Sequence, residues 1–289
     1  MRARYVHRWR TALILVTAAM AGSLVLGVPG AGAATRPPTA PPGYHLIRSG
    51  PIPLRPDRVL DTGGSITCPT GTVPWGGGAG FTGGTPGVGE NVNTSAPSGN
   101  GWRARYNNAN GRPNDDFAVV GICANAPQGY TTQFSAVDNP PMTQVSAVAM
   151  CPTGTVLLGG GVLSTSDSVN AFATSAFPRG PHAYAGSMWN GTARDEKFDV
   201  FAICGAKPPG YTIVRSSETL TVAAATDIAS GASCPKGTSL ISGGVNVTNA
   251  RPTVNIGAAI PESRSDLLSE LLTATSGTVS ATTSVICAA

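Results

Sequence analysis

A five-residue motif, Cys-Pro-x-Gly-Thr, occurs three times at a fixed interval, and this regularity narrows the folds open to the chain. Cys68-Pro69-Thr70-Gly71-Thr72 recurs as Cys151-Pro152-Thr153-Gly154-Thr155 and as Cys234-Pro235-Lys236-Gly237-Thr238. The first cysteines of successive copies are 83 residues apart both times. A glycine cluster follows each motif: Gly76-Gly77-Gly78, Gly159-Gly160-Gly161 and Ser242-Gly243-Gly244. An apolar run then ends each copy at a second cysteine, Cys123, Cys204 or Cys287, and each copy opens on a Gly-Tyr pair at 43–44, 129–130 or 210–211. Self-similarity of this kind marks repeated supersecondary units. Three modules are expected, at 41–126, 127–207 and 208–289.

The composition says what the modules are made of. Gly numbers 37 and Pro 24, and only 12% of residues are charged. With abundant Thr, Ser and Val, this is a chain of short strands and many turns. The fold class expected is all-β, with three tandem homologous β-sheet modules of about 82 residues. These form either sandwich-like units or one body packed as a pseudo-threefold β-prism. In the second copy the pattern predicts strands near 130–135, 144–150, 156–164, 171–177, 183–192 and 198–204. The last of these is apolar on both faces, as an interior strand would be. A glycine triplet inside a strand signals a bulge or a close backbone approach.

Six cysteines in an exported chain read as three disulfides. Repetition leaves two schemes. Each module closes on itself as Cys68–Cys123, Cys151–Cys204 and Cys234–Cys287, or neighbours are stapled as Cys123–Cys151 and Cys204–Cys234 with Cys68 meeting Cys287. The first scheme is the expected one, because the second demands ring closure. Each within-module bridge would contribute on the order of 4 kcal/mol by loop-closure entropy. Zinc is excluded on spacing, since there is no CxxC and no histidine partner, and no metal or other cofactor is expected.

Export is read from the start of the sequence. Arg2, Arg4, Arg8 and Arg10 precede an apolar stretch to about Val28, and Ala31-Gly32-Ala33 suits a signal peptidase cut before Ala34. Residues 1–33 are therefore expected to be a signal peptide and 34–40 a Pro-rich linker, giving a secreted, extracellular protein with no membrane contact after cleavage. Four of the 19 basic residues leave with the signal, and the remaining 15 match the 15 acidic ones. A nucleic-acid partner is disfavoured, because no clustered positive footprint remains.

Catalytic constellations are weak. The mature chain holds two histidines, His45 and His182, outside the repeated positions, and it lacks a GxSxG elbow. Asp115-Asp116 and Asp195-Glu196 precede the last strand of the first two modules, and they read better as turn acids beside Arg112 and Arg194 than as a glycosidase pair. The glycine triplets lack the helix that a phosphate cradle needs. Aromatics offer more. Trp102 and Trp189 fall in matching strands, with Leu271 or Leu272 in the third copy, and Arg105, Asn107 and Asn190 lie nearby. An aromatic platform with amide and guanidinium donors suits a pyranose, which has an apolar face and a hydroxyl rim; the competing reading makes both tryptophans core anchors. Trp102, Arg105, Asn107, Trp189 and Asn190 are thus the candidate ligand-binding set, and Trp75 is expected in the core.

The order Cys-Pro-x-Gly, Gly-Gly-Gly, Trp, then Val-x-x-Ile-Cys-Ala resembles a group of actinobacterial secreted repeat proteins of unknown function. That resemblance covers 41–289 and implies no activity and no functional residues. A weaker likeness is to the vitelline membrane outer layer proteins, through the threefold repeat and the Cys-Pro-x-Gly turn before glycine-rich strand. It implies three β units arranged as a prism, although the repeats here are longer. The function expected is non-catalytic binding of polysaccharide or cell-surface glycan, with three equivalent sites gaining by avidity. The alternatives are an extracellular structural or coat protein and a secreted hydrolase.

Overall fold

Strand-forming residues between Pro/Gly turns build every regular element among the described residues. The computed structural model describes residues 40–289 apart from 56–61, 84–86, 88, 110, 112–114, 223–225 and 249–252. The expected signal peptide, linker residues 34–39 and Arg112 lie outside the described residues. The first module contains β1 (His45–Arg48), β2 (Ile52–Pro53), β3 (Thr62–Thr67), β4 (Val73–Gly83), β5 (Glu90–Pro97), β6 (Gly101–Asn108) and β7 (Asp116–Ala124). The second contains β8 (Thr131–Asn139), β9 (Thr143–Met150), β10 (Val156–Ser164), β11 (Ala171–Gly180), β12 (Ala183–Asn190) and β13 (Glu196–Gly205). The third contains β14 (Thr212–Val222), β15 (Thr226–Ser233), β16 (Ser239–Thr248), β17 (Val254–Pro261), β18 (Asp266–Thr273) and β19 (Gly277–Ala288). All six strands anticipated in the second module are present, with ends displaced by a few residues.

The modules do not form separate sandwiches. Sheet A runs β1-β7-β4-β17-β18-β15, with β2 also on β7; sheet B runs β3-β6-β5-β10-β13-β8; sheet C runs β14-β19-β16-β11-β12-β9. Each sheet thus takes one half from one module and the other half from a second. The halves join where β4 meets β17, β5 meets β10 and β11 meets β16, through the pairs Ala79–Ala259, Ser95–Val162 and Ala176–Val245. Three open sheets so arranged enclose one core as a three-sided prism. The strands that carry the second cysteines, β7, β13 and β19, each lie between two neighbours in their sheets.

The glycine triplets explain how three strands approach a common axis. A Cβ on Gly76 would collide with the Ile241 carbonyl and Ser242, and one on Gly159 with the Trp75 carbonyl and Ser242. The first positions of the three clusters therefore meet, with the Ser242 side chain set against Gly76 and Gly159. At the second position, Gly77 lies under the Trp102 ring, Gly160 under the Tyr184 ring and Gly243 under Leu267. At the third, Gly78, Gly161 and Gly244 meet the carbonyls of the neighbouring module's strand. Each triplet also sits at a register shift in its own pairing, at 74/76, 157/159 and 240/242.

The disulfides are Cys68–Cys123, Cys151–Cys204 and Cys234–Cys287, the within-module scheme. Each ties the two halves of a module, which belong to different sheets, across an edge of the prism. A second set of ties runs between modules. Tyr44 donates to the Leu240 carbonyl at 2.9 Å, Tyr130 to Pro74 at 2.7 Å and Tyr211 to Leu157 at 2.8 Å. These are equivalent tyrosines and equivalent acceptors, so the bonds link module one to three, two to one and three to two. Three disulfides are the pattern of an oxidising, extracellular environment. No helix among the described residues is long and apolar enough to cross a membrane.

Candidate functional site

Strand alternation decides where the expected ligand residues lie. Successive side chains of a strand point to opposite faces. On β6, Trp102, Ala104 and Tyr106 face the core, so Arg105 and Asn107 face the other way. Trp102 is 1% exposed and donates its indole N–H to Ser95 Oγ at 3.0 Å. It is a core anchor, so of the two readings open for Trp102 the exposed platform is the one the structure removes. Its counterparts are Tyr184 and Leu267, the second residues of β12 and β18, so Trp189 and Leu271 or Leu272 lie in matching strands without occupying matching positions.

The amides are equally committed to structure. Asn107 is buried and donates to Asn91 Oδ1 at 2.9 Å and to the Ala171 carbonyl at 2.8 Å. Asn190 is buried, donates to the carbonyls of Asn139 and Arg194, and accepts from the Thr192 backbone N–H and hydroxyl. Arg105 keeps some solvent contact on the outer face of sheet B and pairs with Asp167 at 3.0 Å. Trp189 is half-buried on the outer face of sheet C, opposite Phe172 and Gln144. The structure therefore does not gather the five expected residues, because they divide between two sheets and between inner and outer faces.

The residues suspected of chemistry remain apart. His182 Nδ1 lies 2.9 Å from the Thr155 carbonyl. Among the described residues, neither His45 nor His182 hydrogen-bonds to a serine or a carboxylate. Glu196 lies 3.6 Å from Arg194, a turn ion pair. Asp199, on the outer face of sheet B, has its carboxyl raised above the usual range by burial.

A different arrangement appears on the outer face of sheet C. Register places Ser146, Ser187 and Ser175 opposite one another on β9, β12 and β11. Asn246 continues the row on β16, and Thr282 and Ser217 extend it across β19 and β14. Neighbouring hydroxyls bond across it, with Ser146 to Ser187 at 2.7 Å and Ser217 to Thr282 at 2.9 Å. One flank of the row is apolar, Val148–Ala185–Phe177; the other is Gln144–Trp189–Phe172. The part between β9 and β16 is a groove of about 370 Å³, with Arg179 at one side. The Gln144 side-chain oxygen is shielded from solvent there and has no hydrogen-bond partner.

The equivalent face of sheet B is chemically different. Its corresponding row reads Ala136–Asp199–Leu163 on one half and Thr94–Arg105–Gly63 on the other. Phe134, 64% exposed, packs beside Phe201 at 6.0 Å. The neutral hydroxyl row of sheet C is therefore not repeated on sheet B.

No protein-family model and no curated protein matches the chain. The function must be read from the site itself.

Sequence reasoning passed over the hydroxyl row, although half its signal is local. Ser217-x-Thr219 and Ser280-x-Thr282-x-Ser284 repeat hydroxyls at the period of a strand. What the sequence does not show is that β9, β12 and β11 of the second module align them with β16, β19 and β14 of the third.

Proposed function

We propose that the protein is a secreted, non-catalytic polysaccharide-binding protein whose binding face is the outer surface of sheet C. The observation that carries this reading is the groove, in which Ser146, Ser187 and Asn246 form a row of uncharged hydrogen-bonding side chains beside an apolar flank of Val148, Ala185 and Phe177. A sugar presents hydroxyl edges and an apolar face, and ligand sites of this volume combine an apolar lining with a few placed polar groups. The row crosses the strands, which are spaced about 4.8 Å apart, so an extended glycan chain lies along it with successive sugars over successive strands. Of the residues expected from sequence, Trp189 belongs to this face. Because sheet B differs at the corresponding positions, and sheet A carries Ala229, Glu270 and Ala258 there, one face binds, in place of three equivalent sites. The three disulfides support export, and the sharing of three open sheets among three modules supports a fold relationship to the vitelline membrane outer layer proteins.

The test is an insoluble-polysaccharide pull-down and a glycan array with the disulfide-bonded protein, alongside Ser187→Tyr and Trp189→Ala. Ser187→Tyr fills the groove and Trp189→Ala removes the adjoining aromatic. Binding by the parent that both variants lose at unchanged melting temperature is the expected result. If no glycan is retained by the folded parent, the reading fails and a structural role in an extracellular layer takes its place.

A further inference from the structure

We infer that the glycan bound on sheet C carries an acidic group, which docks at one end of the groove against Arg179 and Arg215; this rests on the polysaccharide reading above. Arg179 lines the groove from β11 and is exposed. Arg215, on β14 of the same sheet, donates Nη2 to the Arg179 carbonyl at 3.2 Å. That contact anchors the Arg215 guanidinium on the backbone of Arg179, whose own exposed side chain lines the groove, so both cations belong to one end of an otherwise neutral face. Neither has a carboxylate within ion-pair distance among the described residues, whereas Arg48, Arg105 and Arg194 each face one.

The groove lining itself contains no Asp or Glu. A cationic side chain at the rim of a neutral groove attracts an anionic group on a ligand that lies along it. Guanidinium groups offer planar, paired donors that match the oxygens of a carboxylate or a phosphate. The neutral row meanwhile supplies hydrogen bonds for sugar hydroxyls. The two features together describe a polymer of sugars or polyols with regularly placed acidic groups, either uronic acids or phosphodiesters.

Binding of the disulfide-bonded protein to polygalacturonate, to a glycerol-phosphate polymer and to neutral dextran tests this. One of the two anionic polymers should bind at least about tenfold more tightly than dextran, and which one does so identifies the source of the charge. Arg179→Gln and Arg215→Gln should each weaken that binding about tenfold at unchanged melting temperature, while Lys207→Gln, at a proline-lined end of the molecule, should not. Equal binding of dextran, with both arginine variants unaffected, would overturn the acidic assignment and leave the polysaccharide reading standing. An equal loss in Lys207→Gln would also overturn it, since the attraction would then be non-specific. Failure of all three polymers and of the glycan array would remove both readings together.

Discussion

The three module-opening tyrosines show what one side chain does when it is repeated around an axis. Each lies after a glycine with positive φ, Gly43 at 70°, Gly129 at 69° and Gly210 at 65°, a conformation that costs glycine little. The turn aims the phenol into the neighbouring module, where it satisfies a carbonyl of the glycine strand. Burial pushes the Tyr44 and Tyr130 phenols up to about 12, against a small lowering by Arg264 at Tyr44 and by the Thr132 hydrogen bond at Tyr130. Burial likewise raises Tyr211, Tyr184 and Tyr106. Below pH 10 the phenols are protonated in both folded and unfolded chains, so their contribution is complete. Between about pH 10 and 12 the unfolded chain ionises while the folded one holds its protons. Stability should then fall by up to about 1.4 kcal/mol per pH unit for each tyrosine. Chemical denaturation from pH 8 to 12 measures this, and Tyr44→Phe with Tyr130→Phe should flatten the alkaline decline. Each Phe variant should also cost about 1 kcal/mol at pH 7 through its unpaired carbonyl.

Among the elements, the glycine-triplet strands β4, β10 and β16 are the least replaceable. Each passes the axis and pairs with its own module on one side and a foreign strand on the other, so one strand serves two sheet halves. Close approach leaves no space for a side chain at the second triplet position. Gly160→Ala should set a methyl group against the Phe201 carbonyl and the Tyr184 ring, and backbone cannot yield as a flexible side chain would. The expected loss is about 3 kcal/mol, read as a shift in denaturation midpoint. The same change at Gly154, in the turn after Cys151, has open space around it but a φ of 84°, so its cost is backbone strain alone and should be smaller. Had the triplets been flexible phosphate loops, Gly160→Ala would leave stability unchanged.

At the scale of the molecule, the modules of the repeat are not units of folding. A single module supplies two half-sheets that pair with nothing until the other modules arrive, and its core face would stand open to water. Residues 127–207 expressed alone, with Cys151 and Cys204 bonded, should therefore not give a folded monomer. Size-exclusion chromatography with amide NMR would show either a disordered chain or a threefold self-assembly. A well-dispersed spectrum from a monomer would contradict the shared-sheet arrangement. Covalent and non-covalent ties divide the work, since disulfides join sheets within a module and strand pairing with tyrosine bonds joins modules.

Local repetition determined the all-β class, the strand content and the choice of two cysteine schemes, because these depend on residue type and spacing along the chain. The triplets declared a bulge or close approach for the same reason, and the apolar runs before the second cysteines declared interior strands. Alternation could have separated Trp102 from Arg105 and Asn107, and Trp189 from Asn190, since odd and even offsets on one strand face opposite ways. Which face is inside was not legible, because that depends on which sheets stack. The tertiary structure alone decided that each sheet is shared by two modules, that Trp102 answers to Tyr184 and Leu267, and that the Ser146-to-Ser217 row exists. Such a row is set by the register of strands distant in sequence, and register arises from hydrogen bonds between modules that no single stretch of chain encodes.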